Sequence, residues 1–424
     1  MTDSGDEMYQ LGKRLFPICR SLTGNGVRET LQILKEEFPE LEIFSVPSGM
    51  KAFDWTVPDE WNVHDAYILD PSGKKVIDFK ESNLHVVGYS EPVDKTLDLA
   101  DLVERIHTLP EQPDAIPYIT SYYSRYWGFC ATEKQITALQ PGKYRAVIDS
   151  QLEPGELNYG EIILPGESEK EILISTYVCH PSMANNELSG PLVSIYLGKW
   201  LKTLKNRKYT YRIVFVPETI GAIVYISRHL ESLKQNVIAG FMVTCVGDER
   251  AYSYLPSRNG ETLADHAARH ALKHIDPAYK VYEWRDRGSD ERQYCSPGVD
   301  LPVATIMRSK YAEYPEYHTS LDNFDLVTPK GLTGGLNALK QAVSIIENNC
   351  YPKINVLCEP QLGKRGLYPS LSTKDTQSQV QLMMDFMSYA DGTKSLLEIA
   401  DMVNCSFFDL HRIYVKLDEA NLIE

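Results

Sequence analysis

Between residues 7 and 37 apolar side chains recur three and four positions apart. Met8, Leu11, Leu15 and Ile18 come first, then Leu31, Ile33 and Leu34, with Gly24, Asn25 and Gly26 between the two sets. That spacing predicts two amphipathic helices joined by a turn, and a short strand follows at 41–47. From about 53 to 149 the texture changes. Alternating runs such as AYILD and KVIDF, with many Tyr, Trp and Pro, read as a β-rich module.

From 171 onward unbroken apolar runs, at 172–178, 211–217, 237–246 and 302–307, alternate with helix-period stretches at 191–204, 223–233, 262–274 and 330–346. This alternation predicts an α/β fold, a three-layer αβα core with a mainly parallel sheet covered on both faces. If the two N-terminal helices join that layer, residues 1–50 and 150–350 form one discontinuous domain and 51–149 is an insertion. Residues 351–374 carry prolines, glycines and little periodicity, which suits a linker. Within 375–424 three amphipathic helices are expected, at 379–390, 395–403 and 407–422.

Each long apolar run in the second half ends in residues able to do chemistry. His180 follows the first, with Asn185, Asn186 and Glu187 close behind; Glu218 follows the second, Asp248 the third, and the fourth leads to His318. In open α/β sheets ligands gather at the carboxyl ends of the strands. Two imidazoles and several carboxylates there point to a metal-dependent hydrolase, which needs such ligands around an open coordination position and a further carboxylate to take a proton from water. A lone histidine more often bonds the backbone, and Asp248 after Gly247 is also ordinary turn chemistry. Glu218 is the expected general base. Asp290 and Arg287, in a Gly- and Pro-punctuated loop, and Tyr314 are candidates for substrate binding, while Tyr317 or Arg308 would steady an oxyanion.

Composition narrows the partners. With 424 residues, 43% hydrophobic and 24% charged, the chain is expected to form a soluble globular protein of several domains, and its formal charge of −15 works against binding to a phosphate backbone. Within 375–424 only Lys394, Arg412 and Lys416 stand against nine Asp or Glu, so no nucleic acid is expected even there. Eight scattered cysteines without a CxxC pair read as reduced thiols, and the polar N-terminus and the absence of a long apolar run suggest a cytoplasmic protein with no membrane span. A homo-oligomer is compatible with all of this.

Taken together, His180, the ANNELSG run at 184–190, PETIGA at 217–222, GSDERQYCSPGVDLPV at 288–303 and YHTSLDN at 317–323 resemble the zinc aminopeptidases of the aminopeptidase Y type. The order and spacing follow that family's ANDNASG, EEIGLLGS, SDHxxF with GIP, and YHTxxD. The resemblance is closer to bacterial aminopeptidase-like relatives of unassigned activity found with polysaccharide-biosynthesis genes, which also carry an inserted β module and a C-terminal winged helix. It covers about 1–50 and 150–350, and FDWTVPDEWNVHDAYI and SYYSRYWGFC extend it into the insertion. It implies a zinc-exopeptidase-like core, and zinc as the cofactor, one ion or two.

The resemblance also marks departures. The family's bridging Asp falls on Asn186, its base on Glu218, the next metal-binding Glu on Thr219, and its remaining acidic ligand near Thr244, with Asp248 the nearest replacement. Asn and Thr are poor zinc ligands. Three outcomes follow: His180, Glu187 and His318 hold one ion; Asp248 and Glu218 ligate one ion with the histidines; or the metal is lost and a pocket remains. The expected activity is zinc-dependent exopeptidase or related amide hydrolysis of a peptide or N-acylated small molecule. The alternative is a catalytically impaired, metal-poor scaffold in polysaccharide biosynthesis. The inserted module would either roof the site or serve as a dimer surface.

Overall fold

The computed structural model describes residues 4–122, 124–367 and 374–424. Its centre is an eight-stranded mixed sheet, with strands in the order Glu42–Pro47, Glu156–Leu164, Tyr209–Val216, Ser168–Tyr177, Val237–Val243, Val303–Met307, Ser253–Leu255 and Lys280–Val281. Ser168–Tyr177 pairs in parallel with both of its neighbours, and Val237–Val243 does so with Val303–Met307. These inner strands are almost wholly buried, which is why their sequences are continuous apolar runs without alternation. The mainly parallel α/β core expected from the sequence is present, with antiparallel strands at its flanks.

Helices Ser4–Leu15, Asn25–Glu37, Ser189–Thr203, Ile220–Asn236, Leu263–Ile275 and Pro329–Asn348 pack around this sheet. Gly24, at φ +100°, sits before the second helix in a conformation other side chains avoid. Gly190 lets Ser189–Thr203 lie close against the sheet: a Cβ there would stand 2.3 Å from Thr176 Oγ1 and 2.4 Å from the Val243 carbonyl. The last two strands at one side of the sheet, of three and two residues, have no counterpart in the sequence reading, because so few residues carry no periodicity.

The stretch read as β-rich holds a four-stranded antiparallel sheet in the order Lys75–Asp78, Glu60–Leu69, Lys143–Glu153 and Val93–Asp98. Segment 112–120 of the same stretch runs along the loop that carries His318, with Pro117 bridged to Thr319. The C-terminal helices are Lys374–Tyr389, Leu396–Met402 and Phe407–Glu419. Of the stretch expected as a linker, Lys353 and Ile354 bridge to Asp391 and Ile423 and so join this terminal layer, while residues 368–373 lie outside the described residues. Among the described residues no helix is long and apolar enough to cross a membrane, and the eight cysteines are free.

Candidate functional site

Strand Ser168–Tyr177 delivers Val178, Cys179 and His180 at its carboxyl end, and a π-helical turn, Ala184–Leu188, follows before the next helix. His180 is buried, and its ring lies 5.6 Å, centre to centre, from that of His318. The two imidazoles, 138 positions apart in the chain, thus meet side by side. His318 is held with φ +56°, and Thr219 and Cys245 nearby are also left-handed, at +64° and +51°. Non-glycine residues in that region are strained, and such strain collects at functional sites.

The two nitrogens of His180 have different neighbours. Nδ1 is 2.9 Å from Glu187 Oε2, whereas Nε2 has Glu218 Oε2 at 3.6 Å, too far for a hydrogen bond. The ring is desolvated by burial, yet the Glu187 hydrogen bond and charge raise its pKa overall. His318 behaves oppositely. Burial, with His180 adding to it, brings its pKa down to about 3, so at ordinary pH it is neutral, and its Nε2 is buried without a partner.

Glu218 follows strand Tyr209–Val216 and keeps about 22% of its side chain exposed. Its low-polarity surroundings raise its pKa, against the opposing pull of His180 and Arg292. Asp290 lies beside it, fully buried. Oδ1 accepts the Thr219 N–H at 2.7 Å, Oδ2 is unpartnered, and burial followed by the Glu218 charge raises this carboxyl well above its ordinary range. Asp290 is thus a buried neighbour of Glu218, not an exposed contact for substrate. Orphaned buried polar atoms concentrate here: His318 Nε2, Asn186 Nδ2, Asp290 Oδ2 and Glu291 Oε2. Buried polar groups are normally paired, so such a cluster marks a place built for something else.

Several expected site residues sit elsewhere or do other work. Glu187 faces His180 Nδ1 and Arg20, at the edge of the ring opposite the Nε2 that neighbours Glu218. Asp248 spends its oxygens on Asn185 Nδ2, the Ser309 N–H and Oγ, and the Arg250 N–H, a saturated structural carboxylate away from the histidines. Arg308 donates Nε to the Ala251 carbonyl and stacks on Tyr252, so it steadies a loop and not an oxyanion. Arg287 is exposed and lies over Trp284. Tyr314 is buried and gives its hydroxyl to Asp322. Asn186 accepts from the Tyr177 hydroxyl. Tyr317 does reach the site, stacked on His318 at 3.9 Å.

Other residues belong to the site that the sequence reading gives no role, although Arg292 and Asp322 lie inside its motifs at 288–303 and 317–323. Tyr118, from the inserted module, packs edge-on against both His180 and His318, at 5.3 and 5.1 Å. Its N–H donates to the His318 carbonyl, and Ile116 exchanges hydrogen bonds with Ser320, so the insertion roofs the site and braces the loop that carries His318. Arg292 donates to Thr219 Oγ1 at 2.6 Å and sets a positive charge near Glu218 and Asp290. Asp322 accepts the N–H groups of Asn185 and Asn186 and docks their turn. The aromatic richness of the insertion was the one hint of Tyr118.

Among the described residues, the one group of three ligand-type residues whose donor atoms all lie within 4.8 Å of one another is Cys179, His180 and Glu187. It is a poor cation site. Burial, then the charges of Glu187 and Glu218, raise the Cys179 thiol well above its ordinary pKa, and the Arg20 guanidinium already stands 3.3 Å from Glu187. Better suited are His180 Nε2 and His318 Nε2, two imidazole nitrogens without a protein hydrogen-bond partner and with carboxylate nearby. The adjoining side chains Asn186, Thr219 and Thr244 are neutral and already hydrogen-bonded, so they do not complete a second metal position.

Known proteins share the sequence and the fold of this chain. The family described as "Domain of unknown function (DUF4910)" matches residues 9–349, and a winged helix-turn-helix matches 349–424. A Clostridium acetobutylicum protein described as a "Putative polysaccharide biosynthesis protein with aminopeptidase-like domain" is 46% identical over 401 residues, 94% of this chain and 92% of that protein. The crystal structure of a "putative peptidase" from Clostridium acetobutylicum superposes with a TM-score of 0.94 at 44% identity, over 99% of this chain and 96% of that one. A zinc aminopeptidase from Bacillus subtilis shares the fold, with a TM-score of 0.58 at 12% identity, over 80% and 94% of the two chains.

Proposed function

Because the chain belongs to the family described as Domain of unknown function (DUF4910), we propose that it is a metal-dependent amide hydrolase acting on a peptide or an N-acylated small molecule. The observation that carries this reading is the meeting of two imidazoles, each with an unbonded Nε2, with Glu218 next to that of His180. His180 and His318 would hold a single zinc ion. When bound, the ion would polarise the scissile carbonyl and acidify a water. Glu218, its proton affinity raised by burial, takes the proton and returns it to the leaving amine. Arg292 offers a positive charge to the developing oxyanion, and Tyr118 and Tyr317 enclose the imidazoles and limit access of water.

Two imidazoles make a looser site than the three protein ligands usual for catalytic zinc, so the metal should be exchangeable. Elemental analysis of protein purified without added metal, before and after dialysis against zinc, tests this. One zinc per chain that disappears in the His180→Ala, His318→Ala double variant supports the hydrolase. A second reading, a metal-poor binding scaffold, is favoured by Asn186, whose buried Nδ2 presents N–H groups where a cation would need a lone pair. Protein that takes up no zinc sinks the first reading and leaves the second.

The terminal helices are assigned to protein contact. In a winged helix the N-terminal end of the recognition helix reads bases, but that end of Phe407–Glu419 is docked on the core, where the Phe407 N–H donates to His270 Nε2 at 2.8 Å. The excess of acidic residues in this region argues the same way.

A further inference from the structure

On the reading that His180 donates to a metal ion, we propose that Arg20 and Glu187 are positioning residues that decide which nitrogen of His180 carries its proton. Arg20 lies between the first two helices and is 1% exposed. Its Nε donates to the His180 carbonyl at 2.8 Å, Nη1 to the Leu15 carbonyl at 2.8 Å, and Nη2 to the Pro181 carbonyl at 3.2 Å. The same Nε stands 3.3 Å from Glu187 Oε1, and neither side chain is exposed. The other oxygen of Glu187 is 2.9 Å from His180 Nδ1. One buried arginine therefore holds the backbone of His180 by a hydrogen bond and sets its charge beside the carboxylate that faces the ring, although Glu187 Oε1 itself makes no hydrogen bond.

The consequence is chemical. A carboxylate paired with a guanidinium only accepts hydrogen bonds. The proton of a neutral His180 must then sit on Nδ1, and Nε2 turns its lone pair toward Glu218 and His318. Without that partner the two tautomers of an imidazole compete, and the one protonated on Nε2 offers nothing to a cation. Burying a charged pair seldom adds net stability over a well-packed apolar pair of similar size. A fixed tautomer is something the apolar pair could not supply.

The experiment is nitrogen-15 NMR of His180 in the full-length, metal-free protein, with the pH raised until the ring is neutral, alongside zinc affinity measured against a competing chelator. Wild type should carry the proton on Nδ1. In Glu187→Gln, whose amide both donates and accepts, the tautomer should become mixed and zinc should bind about 10- to 100-fold more weakly. Arg20→Lys should keep the tautomer and most of the affinity, and Arg20→Met should lose both. Should Arg20→Met fail to fold, Glu187→Gln and Arg20→Lys decide the matter alone. The proposal is overturned if His180 in wild type is protonated on Nε2, or if Glu187→Gln leaves tautomer and affinity unchanged. Failure of wild type to bind zinc would end the metal reading instead, because the tautomer is read without metal.

Discussion

Two buried histidines set Nδ1 against a carboxylate, His180 against Glu187 at 2.9 Å and His270 against Asp401 at 2.7 Å. At His270 the second nitrogen accepts the Phe407 N–H at 2.8 Å, and with Lys273 bonded to Asn404 this fastens the terminal helices to helix Leu263–Ile275. At His180 the second nitrogen has no hydrogen bond and looks across to Glu218 and His318. The pairing alone thus says nothing about role. A histidine whose two nitrogens are both satisfied is a structural clamp, and one with a nitrogen left over is available for chemistry.

The largest effect should come at the open histidine. Glu218→Gln is expected to keep the metal and lower turnover by about 10²- to 10⁴-fold, the span typical of a lost general base. Loss of metal in that variant would make Glu218 a ligand and move the base elsewhere. At the closed histidine, His270→Ala should cost about 2–3 kcal/mol, because it strands the Phe407 N–H and the Asp401 carboxylate. Denaturant unfolding reads that cost, and zinc binding should stay as in wild type. A fall in zinc affinity there would dissolve the distinction between the two.

A subtler effect concerns Asp322, which docks the turn carrying Asn185 and Asn186 and whose pKa burial pushes up to about 6, despite the backbone hydrogen bonds it accepts. A carboxyl with a higher pKa folded than unfolded binds more protons in the folded state, so its contribution improves as pH falls from about 6 toward the unfolded value near 4. Between pH 7 and 5 the stability of wild type should therefore gain about 1 kcal/mol relative to Asp322→Asn, read from paired denaturation curves. Parallel curves would show that Asp322 does not titrate in that window. The smallest effect is expected at Arg308, whose guanidinium is spent on Ala251 and Tyr252. Arg308→Ala should leave kcat/KM nearly unchanged, while Arg292→Ala lowers it by about tenfold, or ~1.4 kcal/mol.

Much of this was legible along the chain. The buried parallel strands announce themselves as apolar runs, and His180, Glu218 and His318 were marked by standing just past three of them. The site's carboxylates were read less well. Glu187 looked like a ligand because it is acidic and close to His180, and Asp248 because it follows a strand; whether a carboxylate is free depends on which donors surround it, and those come from other elements. Arg20 lies 160 residues from His180, and Tyr118 reaches the site from an irregular segment far away in the chain, so neither leaves a periodic or spaced trace.

The amino-acid order by itself determined the strands, the helices and the kinds of side chain at the strand ends, since burial on one or two faces writes a period into the chain. Only the tertiary structure decided which of those side chains remain available. Hydrogen bonds and charge pairs between distant segments satisfy Asp248 and Glu187 and leave His180 Nε2 and His318 Nε2 open, and a polar atom's partners are fixed by packing in three dimensions.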